Sequence, residues 1–126
     1  MYFHPDCIRD ILLQIEDKID SRKTTISFDE LLESLPNYDE NTLHYHVNQI
    51  SKSDLVDKVL YADCKPYVIS DLSPEGHEFL ANIRSNTAWN KTKEIAKNVG
   101  SSSLSSLKEI SVSVISELIK SQLIKN

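Results

Sequence analysis

Nearly all the apolar residues of this chain recur at spacings of three and four, and one short stretch departs from that spacing. Lys58-Val59-Leu60-Tyr61-Ala62 and Tyr67-Val68-Ile69-Ser70 are two runs enriched in β-branched or aromatic residues. Asp63-Cys64-Lys65-Pro66 joins them with turn-forming residues. A single β-hairpin set among amphipathic helices predicts a mainly α, α+β fold. The chain has only 2 Gly and 4 Pro, which leaves few breaks and favours helices elsewhere.

The helices can be placed one by one. From Pro5 to Ile19, residues Ile8, Ile11, Leu12, Ile15 and Ile19 form one apolar stripe, with Pro5 suited to the first turn. Thr25-Ile26 forms a short extended piece. Ser27 and Glu30 have the spacing of a capping box and start a second helix, with Phe28, Leu31, Leu32 and Leu35 on its apolar face. Pro36 stops that helix, because the residue before a proline avoids helical backbone angles. A third helix is expected over Asp39 to Lys52, with Leu43, Val47 and Ile50 facing inward.

After the hairpin, Ser73 caps a fourth helix with Pro74 in its first turn. Gly76 inside that turn conflicts with helix propensity. The fourth helix either continues to Trp89 or breaks at Ser85-Asn86-Thr87; the spacing from Trp89 to Val99 is helical, and Gly100 is a natural stop. A serine run, Ser101 to Ser103, opens a final helix over 101–126. Its stripe is wide, with Ile115 and Ile119 extending it sideways. Such a width serves either packing on the first helix or pairing as a homodimer.

Helix, short helix, helix, hairpin is the element order of a winged helix-turn-helix. The expected fold is therefore a winged helix with a two-stranded wing over residues 1–84. A C-terminal helical extension over 85–126 packs on that domain or on a partner. In this architecture the third helix is the candidate reader of a DNA major groove and the hairpin is the wing. The candidate nucleic-acid-binding residues are Asn41, Thr42, His44, Tyr45, Asn48, Gln49 and Lys52 on the helix, with Lys58 and Lys65 on the hairpin. Asn and Gln amides suit adenine edges, and lysines neutralise phosphate.

Three segments carry a family resemblance: Ile8-Arg9-Asp10-Ile11-Leu12-Leu13-Gln14-Ile15-Glu16, His44-Tyr45-His46-Val47, and Leu72-Ser73-Pro74-Glu75-Gly76-His77-Glu78-Phe79-Leu80-Ala81-Asn82-Ile83-Arg84 continuing to Thr87-Ala88-Trp89-Asn90-Lys91. Together they resemble domain of unknown function 2513, a family of bacterial and prophage proteins, over residues 1 to about 115. The resemblance implies a winged-helix-like fold and an association with mobile elements. It implies no catalytic residue.

Charge complicates a DNA role. The formal net charge is -5. Residues 1–57 hold 5 basic against 12 acidic side chains, net -7, and residues 58–126 hold 9 against 7, net +2. The presumed reading half is the acidic half, and Asp39 and Glu40 stand at the helix end that would approach the bases. A protein–protein module, an adaptor or a DNA-mimicking inhibitor that engages a basic partner, is the alternative to double-stranded DNA.

Other chemistries find little footing. The chain has no GxSxG, P-loop or GxGxxG sequence, so no enzyme and no cofactor are expected. His44 and His46 are two apart on a helix and point about 200° from each other, so no metal site is expected. His46 should be partly buried and hydrogen-bonded, His44 exposed, and Trp89 a core anchor. Cys7 and Cys64 form no CxxC pair and read as free thiols in a reducing compartment. No apolar run approaches a membrane span and no signal peptide is visible, so a cytoplasmic location is expected.

Overall fold

Four fully buried side chains on one stripe, Ile8, Ile11, Leu12 and Ile15, hold the first helix, α1 (Pro5–Lys18), in place. Its N-cap, His4, makes no side-chain cap bond. A good cap stabilises by about 1 kcal/mol, whereas each such aliphatic burial contributes roughly 1.5–3 kcal/mol, so packing and not capping decides this element. In the computed structural model, which describes residues 1–124, five more helices and a three-stranded antiparallel sheet follow. They are β1 (Thr25–Ser27), α2 (Phe28–Ser34), α3 (Glu40–Lys52), β2 (Val59–Ala62), β3 (Lys65–Ser70), α4 (Pro74–Ile83), α5 (Asn86–Val99) and α6 (Leu104–Ile124). The chain divides into two compact units, Met1–His77 and the residues from Glu78 onward.

In the first unit, Ser27 caps α2 as its spacing predicts. The Ser27 hydroxyl accepts the Glu30 N–H at 3.1 Å, and the Glu30 carboxylate accepts the Ser27 N–H at 3.3 Å. Asp39 caps α3 by accepting the Thr42 N–H at 2.8 Å. That bond holds the Asp39 carboxyl below its ordinary pKa. Leu43, Val47 and Ile50 of α3 are buried, as is His46.

The sheet differs from the expected two-stranded hairpin. Its order is β1-β3-β2, with Thr25 opposite Ser70 and Ile26 opposite Ile69. The Thr25-Ile26 piece becomes a third strand because Ile26 and Ile69 are buried together in the pairing. The turn is shorter than expected: only Asp63 and Cys64 lie between the strands, both at positive φ (52° and 65°). That is the backbone of a type I′ hairpin, matched to the twist of its strands. Pro66 therefore sits inside β3. Proline is tolerated there because β1 covers only Val68 to Ser70, which leaves β3 an edge strand at Pro66. The register shifts between Leu60 and Tyr61, opposite Val68 and Pro66, which makes Tyr67 the extra residue of a bulge.

Gly76 resolves its conflict by proximity. A Cβ at this position would stand 1.9 Å from the Leu55 carbonyl oxygen, so only glycine lets the first turn of α4 approach that strand of backbone. Ser73 stitches the same spot. Its N–H donates to the Leu55 carbonyl at 3.0 Å, its hydroxyl donates to the Asp54 carbonyl at 2.6 Å, and it accepts the Gly76 N–H at 3.0 Å.

In the second unit the helix breaks at Ser85, whose hydroxyl accepts the Ala88 N–H at 3.1 Å and caps α5. Gly100, at φ 74°, ends α5 in the left-handed conformation, and Ser101 N–H closes on the Ala96 carbonyl at 3.0 Å. The serine run then serves as a cap: the Ser103 hydroxyl accepts the Ser106 N–H. α6 packs on α5, so the final helix has a neighbour within its own unit. Trp89 is buried, as expected of a core anchor, with Lys93 Nζ 5.4 Å from its ring centroid. The last two residues of the expected 101–126 helix lie outside the described residues. Among the described residues, no helix is long and apolar enough to cross a membrane.

Candidate nucleic-acid interface

The inward stripe of α3 leaves the opposite side of the helix to solvent. Asn41 and Lys52 are exposed, and Thr42, His44, Tyr45, Asn48 and Gln49 are half-buried along its flanks. At 100° per residue, Asn41, Tyr45, Asn48 and Lys52 fall on one outward row. Thr42 and Gln49 lie on one flank of that row and His44 on the other. The structure thus gathers the seven helical candidates on one side of α3.

The hairpin adjoins this row through side chains. Tyr61 Oη donates to Asn48 Oδ1 at 2.6 Å, and Lys65 Nζ lies 3.5 Å from Glu40 Oε1. Tyr61 was not among the candidates. Its signal in the sequence is only that it stands two residues before the turn, and register decides the rest. Lys58 is exposed just before β2 and is held there by the Ser70 N–H donating to its carbonyl at 2.9 Å. The Asn48–Tyr61 bond has a chemical consequence. An asparagine reads adenine with its carbonyl oxygen and its amide nitrogen together. An amide oxygen has two lone pairs, so Asn48 can keep the Tyr61 bond and still accept from adenine, with its side chain held in one orientation.

The other flank of α3 is tied to the chain start. His46 is fully buried. Its Nε2 accepts the His4 backbone N–H at 2.8 Å, and its Nδ1 lies 2.7 Å from the Thr42 carbonyl. An amide N–H can only donate, so Nε2 carries no proton and Nδ1–H is the donor to Thr42. Burial, the largest cause, holds the ring below its ordinary pKa, and the His4 ring adds to the effect. The rings of Phe3, His4 and Tyr45 stand 5.6, 5.7 and 5.0 Å from it. His44 faces the Phe28 ring edge at 6.5 Å instead of standing fully free. The two histidines thus do different structural work on opposite flanks.

Two clefts border the row. One of about 180 Å³ lies between the hairpin and the starts of α2 and α3, lined by Asp29, Glu40, Lys65 and Tyr67 among others. The other, about 410 Å³, is lined by His4, Asp6, Tyr38, Asp39 and Thr42 among others. Behind the second, Tyr38 Oη donates to Asp10 Oδ2 at 2.6 Å, and burial followed by that bond raises the Tyr38 hydroxyl well above its ordinary pKa. Both clefts are more acidic than basic. Over residues 39–65, which carry α3 and the hairpin turn, Asp39, Glu40, Asp54, Asp57 and Asp63 outnumber Lys52, Lys58 and Lys65.

Comparison with known proteins places this geometry in a family. The profile described as "Hypothetical protein (DUF2513)" matches residues 3–103. The chain belongs to the DUF2513 family. This DUF2513 chain is also 26% identical over 117 residues to an "Uncharacterized protein" of Haemophilus influenzae (strain ATCC 51907 / DSM 11121 / KW20 / Rd), covering 90% of this chain and 95% of that protein. No solved structure matches it. The matched span takes in all of α3, the hairpin and α5, and it ends as α6 begins.

Proposed function

We propose that this DUF2513 protein is a winged-helix module of phage or prophage type that binds double-stranded DNA as a non-enzymatic regulator in the cytoplasm. In this reading α3 enters the major groove and the β2–β3 hairpin is the wing. The observation that carries it is the Tyr61–Asn48 bond. It makes the outward amide row of α3 and the hairpin one surface, which a duplex could meet in a single approach. Asn41, Asn48 and Gln49 supply base-reading amides. Thr42, His44 and Tyr45 reach phosphate or thymine methyl groups. Lys52, Lys58 and Lys65 supply the phosphate contacts.

Three lysines set a modest electrostatic term. At a slope of about -0.9 per neutralised phosphate, log K should fall with log salt at about -3 per protomer. Fluorescence anisotropy with a mixed-sequence duplex, titrated from about 50 mM salt upward, tests this. Lys52→Ala should shallow the slope by about one, and Asn48→Ala should weaken binding without changing it. No binding at the low-salt end would overturn the reading.

A specific feature supports a second reading. Asp29 and Glu40 stand in the first turns of α2 and α3, and Asp39 caps α3. They present carboxylates where a DNA reader would meet phosphate. A protein module that engages a basic partner uses those same carboxylates favourably. In that case Glu40→Lys abolishes partner binding, whereas under the DNA reading it strengthens duplex binding.

A further inference from the structure

The outer side of α6 carries a second apolar stripe that its packing on α5 does not consume. Leu104, Leu107, Ser111 and Val114 are the buried row. Val112, Ile119 and Leu123 are 55, 54 and 71% exposed, and Ile115 is half-buried. At about 100° per residue these four fall within a sector of roughly 80° whose centre lies about 100° round from that of the buried row, and half-buried Lys108 falls in the same sector one turn before Val112. Their spacing of three, four and four is that of an eleven-residue apolar repeat, which keeps one line along a nearly straight helix.

The charges beside this stripe choose its occupant. Glu109 and Lys120 are exposed and lie on the same flank of it, Lys120 Nζ standing 3.9 Å from Glu117 Oε1 of its own helix in a highly exposed pair. When two copies of one helix run antiparallel, equivalent flanks face each other. With the two-fold axis at Ile115, Val112 comes within one residue of facing the partner's Ile119, and Glu109 within one residue of facing the partner's Lys120. This ion pair is made twice, once on each side of the axis, so the flank is complementary to itself in charge. A basic or acidic foreign helix would satisfy one of the two charges and oppose the other.

We infer that α6 pairs antiparallel with α6 of a second copy of this chain across a two-fold axis at Ile115. This inference does not depend on what α3 binds. From Val112 to Leu123 the seam is about 16 Å long, far smaller than a standard interface. The dimer is expected to be weak, dissociating in the micromolar range or above.

Sedimentation equilibrium of the full chain over that range is the test. The mass should climb from 14.4 kDa toward twice that value as concentration rises. Ile119→Lys should hold the protein at the monomer mass, and because Ile119 is exposed, the circular dichroism should not change. Glu109→Lys and Lys120→Glu should each weaken the dimer at least fivefold, and the two together should restore it. A monomer at every concentration overturns the inference. So does a dimer that Ile119→Lys leaves intact, or a double variant no better than either single one.

Discussion

Replacing Gly76 by alanine should reverse the ordinary sign of a helix substitution. In a helix, Gly→Ala gains about 0.5–1 kcal/mol by removing conformational freedom from the unfolded chain. Here the new methyl would meet the Leu55 carbonyl oxygen at 1.9 Å and its carbonyl carbon at 2.9 Å. Both atoms are backbone, so no side-chain rotation can relieve the clash. The first turn of α4 and Leu55 must separate by about 1 Å or more, an overpacking that costs roughly 1–3 kcal/mol. The separation also stretches the Ser73 N–H bond to Leu55 and the Ser73 hydroxyl bond to Asp54, each contributing about 1 kcal/mol. After the helix gain is subtracted, the net loss is about 2–4 kcal/mol. Urea melts followed by circular dichroism would show the midpoint falling by about 1–2 M at a slope near 2 kcal/mol per M. Ser105→Ala, on the exposed side of α6, is the control and should change little. Ser73→Ala keeps the reasoning testable if the glycine variant does not fold: it should lose about 1–2 kcal/mol. Gly76→Ala matching or exceeding the wild type in stability would refute the argument.

Four further outcomes follow from named contacts. Because the folded chain holds His46 below its ordinary pKa of 6.5, the unfolded chain takes up a proton first as pH falls. Stability should be level above about pH 7 and decline below 6.5 toward the folded pKa, and His46→Gln should flatten that decline in pH-dependent melts. Burial pushes the Cys7 thiol up to about 12, whereas Cys64 is exposed and free; a thiol reagent should therefore label one cysteine in the native protein and two in denaturant. Cys64→Gly removes a non-glycine residue from positive φ in the hairpin turn and should raise stability by about 1 kcal/mol, measured as a higher urea midpoint. Ser27→Ala breaks the capping box of α2 and should cost about 1 kcal/mol in the same assay.

What the sequence made legible was local. The Ser27–Glu30 box, the Pro36 stop, the buried stripe of α1 and the Gly100 stop of α5 are each settled within one turn of helix, where spacing and propensity act. The missed features all depend on residues far apart. Thr25-Ile26 reads as a short extended piece, but its place in a sheet is decided only by β3, which offers it an edge more than 40 residues later. Gly76 looks like a defect until Leu55 is beside it. For the candidate site, the outward row of α3 followed from periodicity, but its tethers did not. Nothing local signals that Tyr61 holds Asn48, that Lys65 meets Glu40, or that the His4 backbone binds His46. The uneven charge was visible at once, and the structure sharpens it by placing carboxylates at the starts of α2 and α3.

The β1–β3 ladder also bears on how this region comes apart. By pairing Ile26 with Ile69 it closes a chain loop that contains α2, α3 and the hairpin. Closing so long a loop is entropically slow, so the ladder should form late in folding. Once formed, it lets neither α3 nor the hairpin fray alone. Hydrogen exchange should find their amides opening together as one cooperative block, with the three residues of β1 acting as its latch.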